Sequence, residues 1–306
     1  MSVMNLDGVP IAYQCFGQGP PIVVTPGGFF GRQHQFCHFM AGNLSTDHTV
    51  VIWDRRNGHG ASGVAISDAL SDFHQWTDDL HQLLGALDLS PAYLLGGSGG
   101  HVFSLLMAHR YPEDVKGLLL VQTPTDDLGI LGRLADVYRF SFAEIAVSQG
   151  MEQVISSSVE AWQRTVSGQA KPDGLDRARL WIAETIHSNP DNRDRIIALE
   201  PEEFATAMRR WGNWMVSERV WSSGLADDDL RTIVKPTIVT PGWDEAHPTE
   251  IAQHICSALP MAEWVDLTDI VPKRRMEAIK TDFTYTEFSS VFCPLIRKFI
   301  TRAEDG

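Results

Sequence analysis

Residues 93–101 read YLLGGSGGH, an apolar run that ends in a serine held between two pairs of glycine. Gly96-Gly97-Ser98-Gly99-Gly100 satisfies the pattern Gly-x-Ser-x-Gly. That pattern sets the serine on a sharp strand-to-helix turn and pushes its hydroxyl outward. Glycines flank it because the turn brings two backbones close and strains the φ/ψ of the central residue. Ser98 is therefore a candidate nucleophile, and a serine hydroxyl needs a base to take its proton.

The stretches around this turn alternate in type. PPIVVTPGG (20–28) and HTVVIWD (48–54) are β-branched apolar runs, with the polar-apolar stretch RQHQFCHFMAGNL between them. SDFHQWTDDLHQLLGALDL (71–89) carries Trp76, Leu80, Leu83, Leu84 and Leu87 at helical spacing, with Asp72, Asp78 and Asp79 toward its N-terminal side, where the helix dipole favours acids. A short strand AYLLG, the serine turn, a helix from about residue 101 to 110 and the strand VKGLLLVQT follow. Strands alternating with helices predict a parallel sheet with crossover helices.

Strand-like runs stop from about residue 126 to about 230. Helices separated by SGQAKPDG, HSNPDN and SSGLADDD take their place. The strongest is PEEFATAMRRWGNWMVSERVW, with Pro201 at its start, two Glu in its first turn, and Phe204, Met208, Trp211 and Met215 on one face. Strand signals return with KPTIVTPGWDEAHP, then a helical TEIAQHICSAL, the strand AEWVDL and a last helix. The expected organisation is an α/β core over 1–125 and 231–306, interrupted by an all-helical insertion over 126–230.

Composition narrows the class. Of 306 residues, 43% are hydrophobic and 21% charged, which suits a soluble globular chain. A net charge of −14 without any basic stripe argues against a nucleic-acid partner. The apolar runs fall short of the ~20 residues a membrane span needs. MSVMNLDGVPIAY has neither a basic nor an apolar leader region, so no signal peptide is expected and a cytoplasmic location is. Cys15, Cys37, Cys256 and Cys293 show no C-x-x-C spacing, which suits reduced thiols. His34 and His38 stand four apart without a third ligand, so no metal is expected. PGGFFG is not a dinucleotide fingerprint and GGSGGH lacks the phosphate-loop ending, so no cofactor is expected either.

Four stretches in order resemble the α/β-hydrolase superfamily with a helical cap. VVTPGGFFG (23–31) stands where that family has its oxyanion loop. WDRRNGHGASG (53–63) resembles its Asp-Arg-x-Gly-His-Gly-x-Ser loop, GGSGG its nucleophile elbow, and TPGWDEAHP (240–248) its acid-bearing stretch. The resemblance implies Ser98 as nucleophile and the N–H of Gly99 as one oxyanion donor. It also implies the second donor in the Pro-Gly-Gly turn, at Gly28 with Phe29 as the adjacent alternative, and Asp244 in the place of the acid that orients the base. Epoxide hydrolases and dehalogenases of this fold carry Asp at the elbow, so neither activity is expected.

The departure lies in the base. The family's histidine follows the last core strand; here that strand is AEWVDL, and no histidine occurs after His254. His247, three residues past Asp244, is the first candidate replacement, although the family keeps a His-Pro there without using it catalytically. His101, three residues past Ser98, and Lys273, if burial lowered its pKa, are the others. His59 is expected to stabilise its own glycine-rich loop. The inserted segment holds Trp162, Trp181, Trp211, Trp214 and Trp221, which either pack its helices or, as with Trp211, line an apolar or aromatic substrate site. Arg209 and Arg210 are either solvent-facing or carboxylate-binding.

Three functions remain open on the sequence. The leading one is hydrolysis of an ester, lactone or C–C bond of a small apolar or aromatic molecule through Ser98. The second is a lyase, isomerase or cyclase that needs no Ser-His pair, and the third a ligand-binding protein. The partners expected are that small molecule and a second copy in a homodimer, with no nucleic acid and no membrane.

Overall fold

The computed structural model describes all residues except 123–129, 169–178, 218–223, 243–246, 273–284 and 306. Asp244, Trp221 and Lys273 lie outside the described residues.

Eight strands form one sheet: β1 (Ser2–Leu6), β2 (Val9–Phe16), β3 (Pro21–Thr25), β4 (Thr49–Trp53), β5 (Ala92–Gly97), β6 (Val115–Val121), β7 (Thr237–Thr240) and β8 (Ala262–Trp264). Their spatial order is β1-β2-β4-β3-β5-β6-β7-β8. Strand β2 runs antiparallel to β4, and every described pairing from β4 through β8 is parallel. This is the α/β-hydrolase fold, with a mostly parallel sheet flanked by helices. The strands called from β-branched runs fall where the sequence predicts them. The first hairpin carries a signal of its own: Asp7-Gly8 separates β1 from β2, with φ of 50° and 82°. Asp-Gly supplies the two positive φ values that a two-residue hairpin turn requires.

The chain divides into two compact units, 1–12, 54–79 and 126–221 in one, 13–53, 80–125 and 222–306 in the other. In the second unit, period-two alternation along the strands sorts the side chains by face. Ile22, Val24, Val50, Ile52, Tyr93, Leu95, Leu119, Val121 and Ile238 point to one side. There they pack with Phe36, Cys37, Met40, Ala41 and Leu44 of helix α1 (Gln35–Leu44) and with Phe288, Phe292, Ile296 and Phe299 of the C-terminal helix Tyr285–Asp305. The helix Gly100–Arg110 packs on β5 and β6, and Phe103 on it meets Trp53 at 5.6 Å between ring centroids.

In the first unit the described helices include Ala143–Gln149, Met151–Val166, Trp181–Ser188 and Pro201–Met215. The last begins at Pro201 as its sequence predicts and buries Phe204, Met208, Trp211, Trp214 and Met215. Tyr138, in a π-helical turn over Val137–Phe142, lies between Trp181 and Trp211 at 6.0 and 6.4 Å. The loop after β4 is built on its own polar side chains. Asp54 accepts from the Ala61 N–H at 2.8 Å, and Asn57 exchanges two hydrogen bonds with Ala65 at 3.0 Å each. His59 Nε2 lies 2.6 Å from Glu184 on the helix Trp181–Ser188.

Candidate active site

The strand order reverses around β3, whose neighbours are β4 on one side and β5 on the other. Loops leaving the carboxyl ends of β3 and β5 therefore diverge, and such a switch point opens a crevice at the end of a parallel sheet. Thr25 and Gly96 stand in register there, so the Pro26-Gly27-Gly28 turn and the Ser98 turn are neighbours.

Ser98 has φ of 49°, in the left-handed region that non-glycine residues avoid. Two backbone bonds hold it there, from its N–H to the Val121 carbonyl at 2.9 Å and from the His101 N–H to its own carbonyl at 2.9 Å. The side chain is partly exposed. Gly27 makes the close approach possible. A methyl group on Gly27 would sit 2.6 Å from Ser98 Cβ, 2.9 Å from Ser98 Oγ and 3.1 Å from the Gly99 nitrogen. From the other side, a methyl group on Gly99 would stand 3.3 Å from the Gly28 nitrogen. The Pro26-Gly27-Gly28 turn thus packs directly on the Ser98-Gly99 turn, and no hydrogen bond from the Gly28 or Gly99 N–H is found among the described residues.

His247 reaches the same place. Its Nε2 lies 3.0 Å from Ser98 Oγ. It stands two residues before the helix Thr249–Ala258, and its backbone and Cβ occupy the space that a side chain on residue 242 would fill. Gly242 is required for that fit. Of the sequence candidates for the base that lie among the described residues, His247 is the one found within hydrogen-bond distance of the serine hydroxyl. His101 is fully buried, and its Nδ1 lies 2.9 Å from the Ser98 backbone carbonyl. A carbonyl only accepts, so that nitrogen donates and the ring braces the turn. Downstream of β8, where the family's histidine was sought, Asp266 caps a short helix by accepting from the Thr268 N–H at 2.8 Å.

The remaining sequence candidates divide. Phe29 is half-buried beside Gly28. Trp211 is fully buried in the first unit and its indole N–H donates to the Ala69 carbonyl at 3.0 Å. Arg210 donates to the Ala69 and Ser67 carbonyls at 2.8 and 2.7 Å, whereas Arg209 is exposed. His34 caps α1, its Nδ1 accepting from the Phe36 N–H at 3.3 Å. Among the described residues one group has metal-ligand geometry: His81, Glu113 and Asp114, with ligand atoms within 4.8 Å. Within it His81 Nδ1 lies 2.6 Å from Asp114 Oδ2, and the Ser90 hydroxyl donates to the other Asp114 oxygen.

A serine at positive φ, with an imidazole nitrogen 3.0 Å from its hydroxyl, is an arrangement that can support nucleophilic attack on a carbonyl. The model of the alpha/beta hydrolase fold family matches residues 20–169. That match covers just under half of the chain. Among curated proteins, the uncharacterized hydrolase YraK of Bacillus subtilis is 37% identical over 112 residues, 37% of this chain and 40% of that protein. The mouse (Mus musculus) serine hydrolase BPHL is 28% identical over 142 residues, 44% of this chain and 48% of that protein. The matched region thus spans less than half the length of either relative. A solved structure described as Est816, an N-acyl homoserine lactone degrading enzyme, matches with a TM-score of 0.56 at 20% identity, covering 97% of this chain and all of that one. At that identity the likeness speaks for the fold.

Proposed function

We propose that this protein is a serine hydrolase that cleaves an ester, a lactone or a C–C bond next to a carbonyl in a small apolar or aromatic substrate. The observation that carries the reading is the 3.0 Å separation of His247 Nε2 and Ser98 Oγ. In this mechanism the Ser98 hydroxyl donates its proton to His247 Nε2 as Oγ attacks the carbonyl carbon. The carbonyl oxygen becomes an oxyanion and accepts from the Gly28 and Gly99 N–H groups, which are fixed before the reaction begins. The imidazolium then returns the proton to the leaving group. A water, deprotonated by the same imidazole, releases the acyl group. Asp244 is assigned the orienting carboxylate from its place three residues before His247. Residues 126–230 are assigned the cap, and within it Trp211 is assigned to packing rather than to substrate contact.

The relatives named as hydrolases and the fold likeness support this reading over a lyase or a binding protein. The test is labelling by a fluorophosphonate probe, followed by intact mass, for the wild type, Ser98→Ala and His247→Ala. One adduct on the wild type, none on Ser98→Ala and slow labelling of His247→Ala is the expected outcome. A wild type that takes up no probe across pH 5 to 10 overturns the nucleophile assignment.

A further inference from the structure

Phe30 belongs to the turn that carries Gly28, yet 47% of it is exposed. Exposed apolar side chains are common on proteins, and one alone means nothing. Its position is what distinguishes this one. A methyl group on Gly28 would touch Phe30 Cδ2 at 3.6 Å and Cε2 at 3.8 Å, so the ring lies against the residue assigned as the second oxyanion donor. Behind the ring stands His34, at 4.8 Å between centroids and tilted by 32°. His34 is anchored as the cap of α1, whose Phe36, Cys37, Met40, Ala41 and Leu44 are locked into the core. The aromatic surface is thus mounted on a rigid element beside the proposed oxyanion donor. Sites held this way keep their geometry better than sites on free loops.

We infer that Phe30 is a specificity-determining residue whose ring receives the apolar acyl chain of the substrate. The inference rests on the serine-hydrolase reading and deepens it. Around the reacting carbon, Ser98 Oγ takes one direction and the Gly28 and Gly99 amides take the oxygen. The leaving group must face His247, which protonates it, and the acyl substituent is left for the side of the turn that carries Phe30. An alkyl or aryl chain there covers apolar ring surface, and each added methylene gains from leaving water. A polar or charged acyl group gains nothing.

The experiment compares p-nitrophenyl hexanoate with p-nitrophenyl acetate on the wild type, Phe30→Ala and Phe30→Leu. The readout is the ratio of the two kcat/KM values. Phe30→Ala is expected to lower the hexanoate-to-acetate ratio about tenfold, mainly through KM for hexanoate, with Phe30→Leu between the two. An unchanged ratio overturns the inference, including the case in which both esters slow together because the turn has shifted. Ligand-observed NMR with hexanoate and acetate on the same three proteins needs no turnover. If Ser98 fails to react but hexanoate binding still depends on Phe30, the wall stands and the hydrolase reading falls. Equal hexanoate binding in wild type and Phe30→Ala overturns the wall whatever Ser98 does.

Discussion

His247 Nε2 lies 3.0 Å from Ser98 Oγ, although the two residues are 149 positions apart. Ser98 comes from the end of β5 and His247 from beyond the end of β7, with β6 between them. A parallel sheet delivers all its carboxyl ends to one edge, so residues remote in sequence meet there. The imidazole reaches the hydroxyl without any histidine after β8.

His247→Ala and His247→Gln are expected to lose kcat/KM by about three orders of magnitude or more, since a serine without its base retains the rate due to the oxyanion hole and binding alone. Thermal stability should stay close to wild type, because His247 is only partly buried. A variant that keeps more than a tenth of wild-type kcat/KM removes His247 from the base role.

Gly27→Ala should cripple turnover while sparing the fold. The added methyl group would stand 2.6 Å from Ser98 Cβ, so either the serine or the Pro-Gly-Gly turn must move. Displacing one oxyanion donor typically costs 10²–10³ in kcat, roughly 3–4 kcal/mol. Steady-state kinetics together with a melting curve separate this from unfolding; a kcat within threefold of wild type contradicts the geometry.

Ser98→Gly should abolish activity and raise stability. Its φ of 49° strains a residue with a Cβ and not a glycine. Relief of a left-handed non-glycine conformation is worth about 1 kcal/mol, partly offset by the added freedom of glycine in the unfolded chain. Urea unfolding of the two proteins side by side measures it, and a less stable Ser98→Gly would mean that the turn is not strained.

Asp72 makes stability depend on pH. Complete burial pushes its carboxyl up to about 7, against the lowering effects of the Phe73 N–H at 2.9 Å, the Tyr138 hydroxyl at 3.4 Å and the Arg55 charge. The folded state therefore holds a proton that the unfolded chain releases near pH 4. Stability from this group is complete below about pH 4 and is lost as pH climbs to about 7, by a few kcal/mol at most. Asp72→Asn should flatten that slope between pH 5 and 7 and melt higher than wild type at pH 8. Parallel slopes for the two proteins would show that Asp72 is ionised in the fold.

Local chemistry was enough to read much of this protein from its sequence. The Gly-x-Ser-x-Gly turn, the apolar runs of β3 to β7, the helix Pro201–Met215 and the Pro-Gly-Gly turn after β3 are all specified by residues next to one another. Periodicity and glycine placement act over a few residues. The Asp7-Gly8 hairpin went unread, although Asp-Gly is a local signal of the same kind. The partner of the Ser98 hydroxyl was only ranked: His247 stood first among the candidates, but His247, His101 and His59 all lie near glycine-rich turns, and no local pattern places any of their rings. Tertiary structure separates them by where each ring is sent: His101 to a backbone carbonyl, His59 to Glu184 and His247 to the Ser98 hydroxyl. A proton transfer depends on a distance of about 3 Å, and that distance is set by strand order and by the Gly242 contact, which are long-range facts.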